Sequence, residues 1–161
     1  RTVAPEVRSG VAAVAGARNW NTSVIGTTAS YFPIGNWRLA AGRVFEPGEE
    51  RAGSAVCLVG ATVRRELFGA NAMPLGEALR VKQFSCEIIG LLASKGRAAM
   101  GGDQDDIVLL PLHTVQRRVV GNQRVSTLLV SMNDDSALSV VVLPEPVPPE
   151  TMMFRRVATA A

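Results

Sequence analysis

The sequence predicts an α+β fold built from short strands and three or four helices. Strand-like and helix-like segments are mixed along the chain without a regular βαβ rhythm. Short apolar runs end at Gly or Pro, which is typical of short elements joined by turns. With 161 residues, 47% of them hydrophobic and 19% charged, the chain is long enough for one domain with a real core or for two small lobes.

The N-terminal third predicts two strands and a helical turn. Residues 20–26 alternate well enough for a strand, with Trp20, Thr22 and Val24 on one face. In order, the predicted segments are a weak strand at 7–15, a strand at 20–26, a short helical turn at 29–36 broken by Pro and Gly, an apolar segment at 39–45 and a polar loop at 46–54.

The central third predicts one helix among four short strands. Thr62 is a plausible N-cap, Val63 and Leu67 share one face of the helix, and Gly69 stands where a left-handed C-terminal cap is needed. The other segments are a strand at 55–59, a turn at 73–76, strands at 78–81 and 84–92, a Gly-rich loop at 94–106 and a strand at 107–110.

The C-terminal part predicts a helix, a strand and a second helix before a proline-rich tail. Pro111 begins the first helix, whose apolar stripe is Leu112, Val115 and Val119, and Gly121 ends it. A strand follows at 125–132, and Asp134 or Asp135 caps a helix over 137–143. Four prolines between residues 144 and 149 exclude a continuing helix or central strand.

An ordered set of motifs resembles one family. The motifs are Gly26-Thr27, Tyr31-Phe32, Gly42-Arg43-Val44-Phe45, Val56 to Gly60, Leu67-Phe68-Gly69, Pro74-Leu75-Gly76, Phe84 to Gly90 and Asp105 to Pro111. In this order, over roughly residues 3 to 132, they resemble the MacB-like periplasmic core domain of ABC-transporter permeases of the MacB/FtsX superfamily.

This resemblance implies a two-lobed domain at the periplasmic or extracytoplasmic face of the cell membrane. Residues 1–30 and 125–161 would form a porter-like βαβ lobe, and residues 31–124 an inserted, rolled α/β lobe. The chain would be N-terminally truncated relative to the family. Its tail is atypical after about residue 143, which suggests a departure of the reading frame near residues 138 to 144.

Signature residues of the motifs are predicted to be structural. Arg43 would bond loop carbonyls or a carboxylate such as Glu46, Glu49 or Glu50. Glycines suit strand ends, and the large aromatics supply burial next to turns. The set is Gly42, Arg43, Phe45, Gly60, Phe68, Gly69, Pro74, Gly76, Gly90, Asp105, Asp106 and Pro111.

The sequence argues against catalysis and metal binding. His113 is the single histidine, and no nucleophile partner is suggested for it. Asp103, Asp105 and Asp106 lack EF-hand spacing and are better used as caps, and no phosphate loop is present. By resemblance, ATP would be used by cytoplasmic domains outside this chain. A disulfide between Cys57 and Cys86 stays open, because it requires geometry that sequence cannot give.

By resemblance, the predicted function is that of a non-catalytic permease domain that docks partner proteins and passes on ATP-driven conformational change. The process served would be efflux, lipoprotein or peptide export, or control of an envelope protein. Partners implied by the resemblance are a second permease copy, a periplasmic adaptor protein, an ATPase domain or subunit, and a membrane reached through transmembrane helices absent from this chain. Candidate contact residues lie in the Gly-rich loop: Lys95, Arg97, Met100 and Gln104.

Two alternatives belong to other functional classes. A free soluble binding module, for example for nucleic acid, is suggested by the net charge of +3 and the pI of about 9.4. Such a module would need basic residues interleaved with exposed aromatic residues. Aromatic residues in total make up only 5% of the chain. A small hydrolase using His113 is the other, and no partner residue supports it.

Overall fold

The computed structural model describes residues 3–95, 103–121, 127–131 and 138–142, and it shows a mixed α/β fold. The predicted fold class is thereby confirmed. In chain order the elements are β1 Val3–Ala15, β2 Arg18–Thr27, α1 Tyr31–Ile34, β3 Leu39–Gly42, α2 Pro47–Ala52, β4 Val56–Val59, α3 Ala61–Leu67, β5 Ala78–Val81, β6 Phe84–Leu92, β7 Ile107–Pro111, α4 Leu112–Val115 with a π-helical continuation Gln116–Val120, β8 Thr127–Ser131 and β9 Leu138–Val142.

The strands β2, β7, β4, β6, β5 and β1 follow one another by hydrogen bonding, and β1 pairs back with β2. These strands form a closed ring. It closes where Ala13 and Val14 of β1 pair with Val81 and Arg80 of β5. Outside the ring, β3 pairs with β6, while the first residues of β1 pair with β8, which in turn pairs with β9.

Two buried clusters fill the space on either side of the ring strands. Alternate residues of a strand point to opposite faces, so Val24 of β2 enters one cluster and Ile25 the other. The first cluster receives side chains from all six ring strands, and it therefore fills the ring interior together with α3 and α4. The second lies outside the ring under α1, where Phe32 and Phe45 meet edge to face.

The segment 46–54, predicted as a polar loop, contains helix α2. Pro47 occupies the first helical position, where its missing N–H is not needed. The Glu49 carboxylate accepts a hydrogen bond from the Glu46 backbone N–H at 2.9 Å, which satisfies the start of the helix. This prediction was wrong because the Pro and Gly residues were taken to indicate a loop, although here they begin and end a short helix.

The predicted helix over 137–143 was also wrong, since Leu138–Val142 forms strand β9. It pairs antiparallel with β8 from Thr127 with Val142 to Ser131 with Leu138. Three successive valines, Val140 to Val142, lose side-chain freedom in a helix and suit a strand. The proposed caps Asp134 and Asp135, and the tail from residue 143, lie outside the described residues.

The residue that caps the start of α3 also differs from the prediction. Gly60, not Thr62, occupies the N-cap position, and the Thr62 hydroxyl instead donates to the Asp103 carboxylate at 2.7 Å. The division into lobes at residues 30 and 125 stays a prediction. Backbone pairing of β1 with β5, and of β2 with β7, crosses the proposed boundary at residue 30.

Candidate partner-contact face

The residues that flank the Gly-rich loop are tied together by the Asp105 carboxylate. It accepts hydrogen bonds from the Ser94 hydroxyl and from the Lys95 backbone N–H, each at 2.7 Å. The Asp105 side chain is buried, and its own backbone N–H donates to Asp103 at 2.9 Å. The two ends of this loop are therefore held at fixed positions at the end of β6 and the start of β7.

Lys95 lies over the indole ring of Trp37. Its Nζ is 4.3 Å from the ring centroid and donates to the Gly35 carbonyl at 2.5 Å. This is the geometry of a cation–π contact, which stabilises an exposed pair by about 0.5–1 kcal/mol. Partial burial lowers the pKa of Lys95, while the nearby Asp105 carboxylate acts in the opposite direction.

Tyr31 forms the inner wall beside Trp37. Burial raises the pKa of Tyr31 to about 12, and the charge of Glu6 adds to that effect. Arg8 and a hydrogen bond with the Trp37 side chain act the other way. Arg8 also forms an ion pair with Glu6 at 3.3 Å. Tyr31 is therefore a neutral, hydrogen-bonding aromatic group at any physiological pH.

These side chains surround a cavity of about 590 Å³, here called the Trp37 pocket. Its wall includes two cations, two carboxylates, two aromatic rings and two amides. These members are Arg8, Lys95, Asp103, Asp106, Tyr31, Trp37, Asn36 and Gln104. Trp, Tyr and Arg are enriched among the residues that contribute most to binding at protein interfaces, and polar groups typically form the rim around them.

Two of the four predicted contact residues belong to this pocket. Lys95 and Gln104 line it, whereas Arg97 and Met100 lie outside the described residues. Sequence reasoning missed Trp37 and Tyr31 as part of the same surface. The available signal was the aromatic pair Tyr31-Phe32 followed five positions later by a third aromatic residue, Trp37. Residues 103 to 107 come to lie beside this segment only in the fold, through the pairing of β2 with β7.

The signature Gly42 to Phe45 is a structural unit. Gly42 has φ of +82°, and a Cβ there would lie 2.2 Å from the Ile89 carbonyl oxygen, so only glycine fits. Arg43 contacts both oxygens of Glu49, at 2.8 and 3.0 Å, which is the carboxylate partnership expected of it. Phe45 is buried in the outer cluster.

A second structural unit joins α3 to the pocket. A Cβ on Gly60 would lie 2.1 Å from the Asp105 carbonyl oxygen, so the chain passes very close to itself. Asp106 accepts a hydrogen bond from the Trp20 indole N–H at 2.9 Å. The remaining signature residues are found at turns, element ends and a bulged strand pair: Phe68, Gly69, Pro74, Gly76, Gly90 and Pro111.

In the described part of the chain, His113 and the acidic side chains are the candidates for catalysis or metal binding. The ring of His113 is exposed, and its Nδ1 lies 3.3 Å from the amide oxygen of Gln116. Within residues 3–95, 103–121, 127–131 and 138–142, no group of three or more His, Cys, Asp or Glu side chains is placed to hold a metal ion. In the same ranges, no helix is long and apolar enough to cross a membrane.

Binding of single-stranded nucleic acid requires a surface of basic residues and exposed aromatic rings, and the described part of the chain has no such surface. Tyr31, Phe32 and Phe45 are buried there, and the other described aromatic side chains are partly buried. One of them, Trp37, already carries Lys95 on its ring. Bases stack on exposed aromatic faces, so this arrangement does not favour the nucleic-acid alternative.

Known proteins resemble this chain in sequence and in fold. The macrolide export ATP-binding/permease protein MacB of Syntrophobacter fumaroxidans is 38% identical over 136 residues, covering 83% of this chain and 18% of that protein. The MacB of Rhodospirillum rubrum is 34% identical over 137 residues, or 84% of this chain and 21% of that protein. The chain thus spans about a fifth of the length of these curated relatives.

Among solved structures, the periplasmic region of MacB from Actinobacillus actinomycetemcomitans superposes with a TM-score of 0.69 at 19% identity. The match covers 93% of this chain and 61% of that one. At this identity the likeness shows the fold alone, and that fold agrees with the predicted α+β class.

The family described as MacB-like periplasmic core domain matches residues 1–142. This match confirms the resemblance drawn from the motifs, and it confirms the predicted periplasmic location. The family comprises transporter-permease domains and is not a known class of enzymes. The chain therefore belongs to the family of MacB-like periplasmic core domains of ABC-transporter permeases.

Proposed function

We propose that this domain is non-catalytic, docks partner proteins outside the membrane and transmits conformational change driven by ATP hydrolysis elsewhere in the transporter. The partners proposed are a second copy of the permease, a periplasmic adaptor protein and an ATPase domain or subunit. The domain itself uses no cofactor in this proposal. Its transport cargo is not assigned.

The observation that carries the docking proposal is the Trp37 pocket. Its aromatic rings are preorganised, because Tyr31 is held in the outer cluster and Trp37 is held between Tyr31 and Lys95. Binding to a surface that is already ordered costs little conformational entropy. Lys95 and Gln104 add polar groups at the rim that would fix the orientation of a partner.

The closed ring supports the proposed transmission. Its interior is packed with buried side chains from every ring strand, and such interiors pass on displacements because they are close to incompressible. The pocket is attached directly to this ring through β2 and β7. A displacement of the pocket would therefore move the ring as a body, which is the rigid-body class of switching motion.

Site-specific photo-crosslinking in the full-length transporter, kept in its native membrane, tests this proposal. A photoreactive amino acid at Gln104 is expected to capture a second permease copy or the adaptor protein, identified by mass spectrometry of the crosslinked peptide. The yield is expected to differ between the ATP-bound and nucleotide-free states. Lys95→Ala, introduced together with the crosslinker, is expected to lower the yield.

The matched control is the same amino acid at Arg118. Arg118 is exposed and Gln104 is half-buried, and Arg118 lies on the π-helical continuation of α4, which packs on the inner cluster and not on the outer one. Equal capture at Gln104 and Arg118 would contradict a specific docking face. A Gln104 yield that is independent of nucleotide would contradict the transmission step alone.

A further inference from the structure

The two cysteines of the chain lie side by side inside the ring. Cys57 is on β4 and Cys86 on β6, and these strands are parallel neighbours. Cys57 pairs with Ile88, so Cys86 stands two residues away on the same face of β6. Both thiols enter the inner cluster, and their exposed fractions are 0% and 1%.

The separation of the two sulfur atoms is unusual for groups that merely pack. The Sγ atoms are 2.8 Å apart, well inside the roughly 3.5–4.0 Å at which unbonded heavy atoms usually rest. A thiol–thiol hydrogen bond would be weak, and the Cys86 thiol also has the Leu79 carbonyl within 3.4 Å as an acceptor. The neighbouring strands thus present two sulfurs that need only a small shift to bond.

The periplasmic location of the family is an oxidising compartment for cysteines. Disulfides form and persist in the bacterial periplasm, whereas cytosolic thiols are kept reduced. We propose that Cys57 and Cys86 form an intramolecular disulfide in the mature domain. The proposal depends on the periplasmic location of the family and is independent of the docking function proposed above.

The oxidant required is a disulfide of the same compartment, and it is reduced to two thiols as the new bond forms. A thiolate of one cysteine attacks a sulfur of the oxidant, and the oxidant's second sulfur leaves as a thiolate. The other cysteine then attacks the mixed disulfide, so a new S–S bond joins Cys57 to Cys86. Each cysteine has lost one hydrogen, and the two electrons and two protons leave with the oxidant as a pair of thiols.

The reaction must precede closure of the ring. Burial raises the pKa of the Cys57 thiol well above its ordinary value, and its side-chain interaction with the Cys86 thiol adds to this. Only the thiolate is nucleophilic, so the packed cysteines would exchange very slowly. Because both sulfurs are buried, reductants would not reach the finished bond while the domain stays folded.

The crosslink would join two strands that flank a substantial part of the ring. The cysteines are 29 positions apart, and the loop between them contains α3 and β5. A bond across this loop restricts the unfolded chain and so favours the folded state. The disulfide would link β4 covalently to β6, and β6 also pairs with β3 and β5.

Counting thiols by mass spectrometry tests the proposal. The chain is exported to a bacterial periplasm behind a cleavable signal peptide, purified without reductant, unfolded in denaturant and treated with iodoacetamide. The expected result is a monomer with no adduct and a mass lower by two hydrogens. After reduction, two adducts are expected, and a digest of the unreduced chain should contain one peptide pair joining Cys57 to Cys86.

Two adducts before reduction, or a chain linked only to a second chain, would overturn the proposal. Cys86→Ala serves as the control, since it must show one alkylated thiol without reductant. Because alkylation is done on the unfolded chain, this control is valid even if the substitution weakens the fold.

Discussion

Replacing Gly60 with alanine tests the close approach between the start of α3 and the segment that leads into β7. Gly60 has φ of −75°, which any residue adopts, so alanine would add no backbone strain. Its Cβ, however, would stand 2.1 Å from the Asp105 carbonyl oxygen and 3.2 Å from that of Ile107. The cost of this substitution therefore originates in crowding and not in backbone strain.

The backbone around Asp105 cannot yield without losing other contacts. Its carbonyl accepts the Thr62 N–H at 3.2 Å, and its carboxylate holds Ser94 and Lys95. Overpacking costs about 1–3 kcal/mol, and a lost hydrogen bond about 1 kcal/mol more. We therefore expect Gly60→Ala to lower the free energy of unfolding by about 2–4 kcal/mol, or Tm by roughly 4–16 °C in a domain of this size.

This change is measured by urea unfolding followed by tryptophan fluorescence. Trp20 reports on the perturbed segment because its indole N–H donates a hydrogen bond to Asp106. Gly10→Ala is the matched control: Gly10 lies in β1, and an added Cβ there meets no atom within 4 Å. The control is expected within about 0.5 kcal/mol of the unsubstituted chain, or up to about 1 kcal/mol more stable. Equal stability of the two variants would refute the argument from close approach.

Two further predictions concern titration. Tyr31 is the single tyrosine, so tyrosinate absorbance reports it alone, and its midpoint is expected near 12, not near the ordinary value of about 10. The stability gained from neutral Tyr31 is then complete below about pH 10 and is lost as pH rises towards 12; a midpoint near 10 would contradict its burial. The Arg43 hydrogen bonds lower the pKa of Glu49, so its ionised form stabilises the fold above the unfolded pKa, and this contribution is lost as pH falls through the folded pKa. Arg43→Gln should therefore flatten the loss of urea resistance below about pH 5, and parallel curves for the two chains would contradict this pairing.

Much of the ring could be predicted from local sequence because its strands are short apolar runs with clear ends. Ala78–Val81 and Phe84–Leu92 were predicted with the bounds that the structure has. The strand Leu138–Val142 was missed because its three valines compete with upstream aspartates that suggest a helix cap. Pairing with β8 decides the outcome, and that pairing is a long-range property.

The sequence predicted only some of the residues of the candidate site. Lys95 and Gln104 were found because a Gly-rich loop bounded by strands commonly carries function. Trp37 and Tyr31 come from a segment about 60 positions earlier, and Trp37 lies beside Lys95 because β3 pairs antiparallel with β6. Nothing in the local pattern of either segment specifies that neighbour.

The closed ring has a consequence for the order in which the chain folds. Its hairpin β1–β2 is made first during synthesis, yet its outer partners β7 and β5 are made much later. Until then both edges of the hairpin carry unsatisfied backbone groups, which are templates for pairing with other chains. Contacts between distant segments also slow folding. The finished domain hides these edges, so the hairpin is open to pairing with other chains only in the interval before β5 and β7 are made.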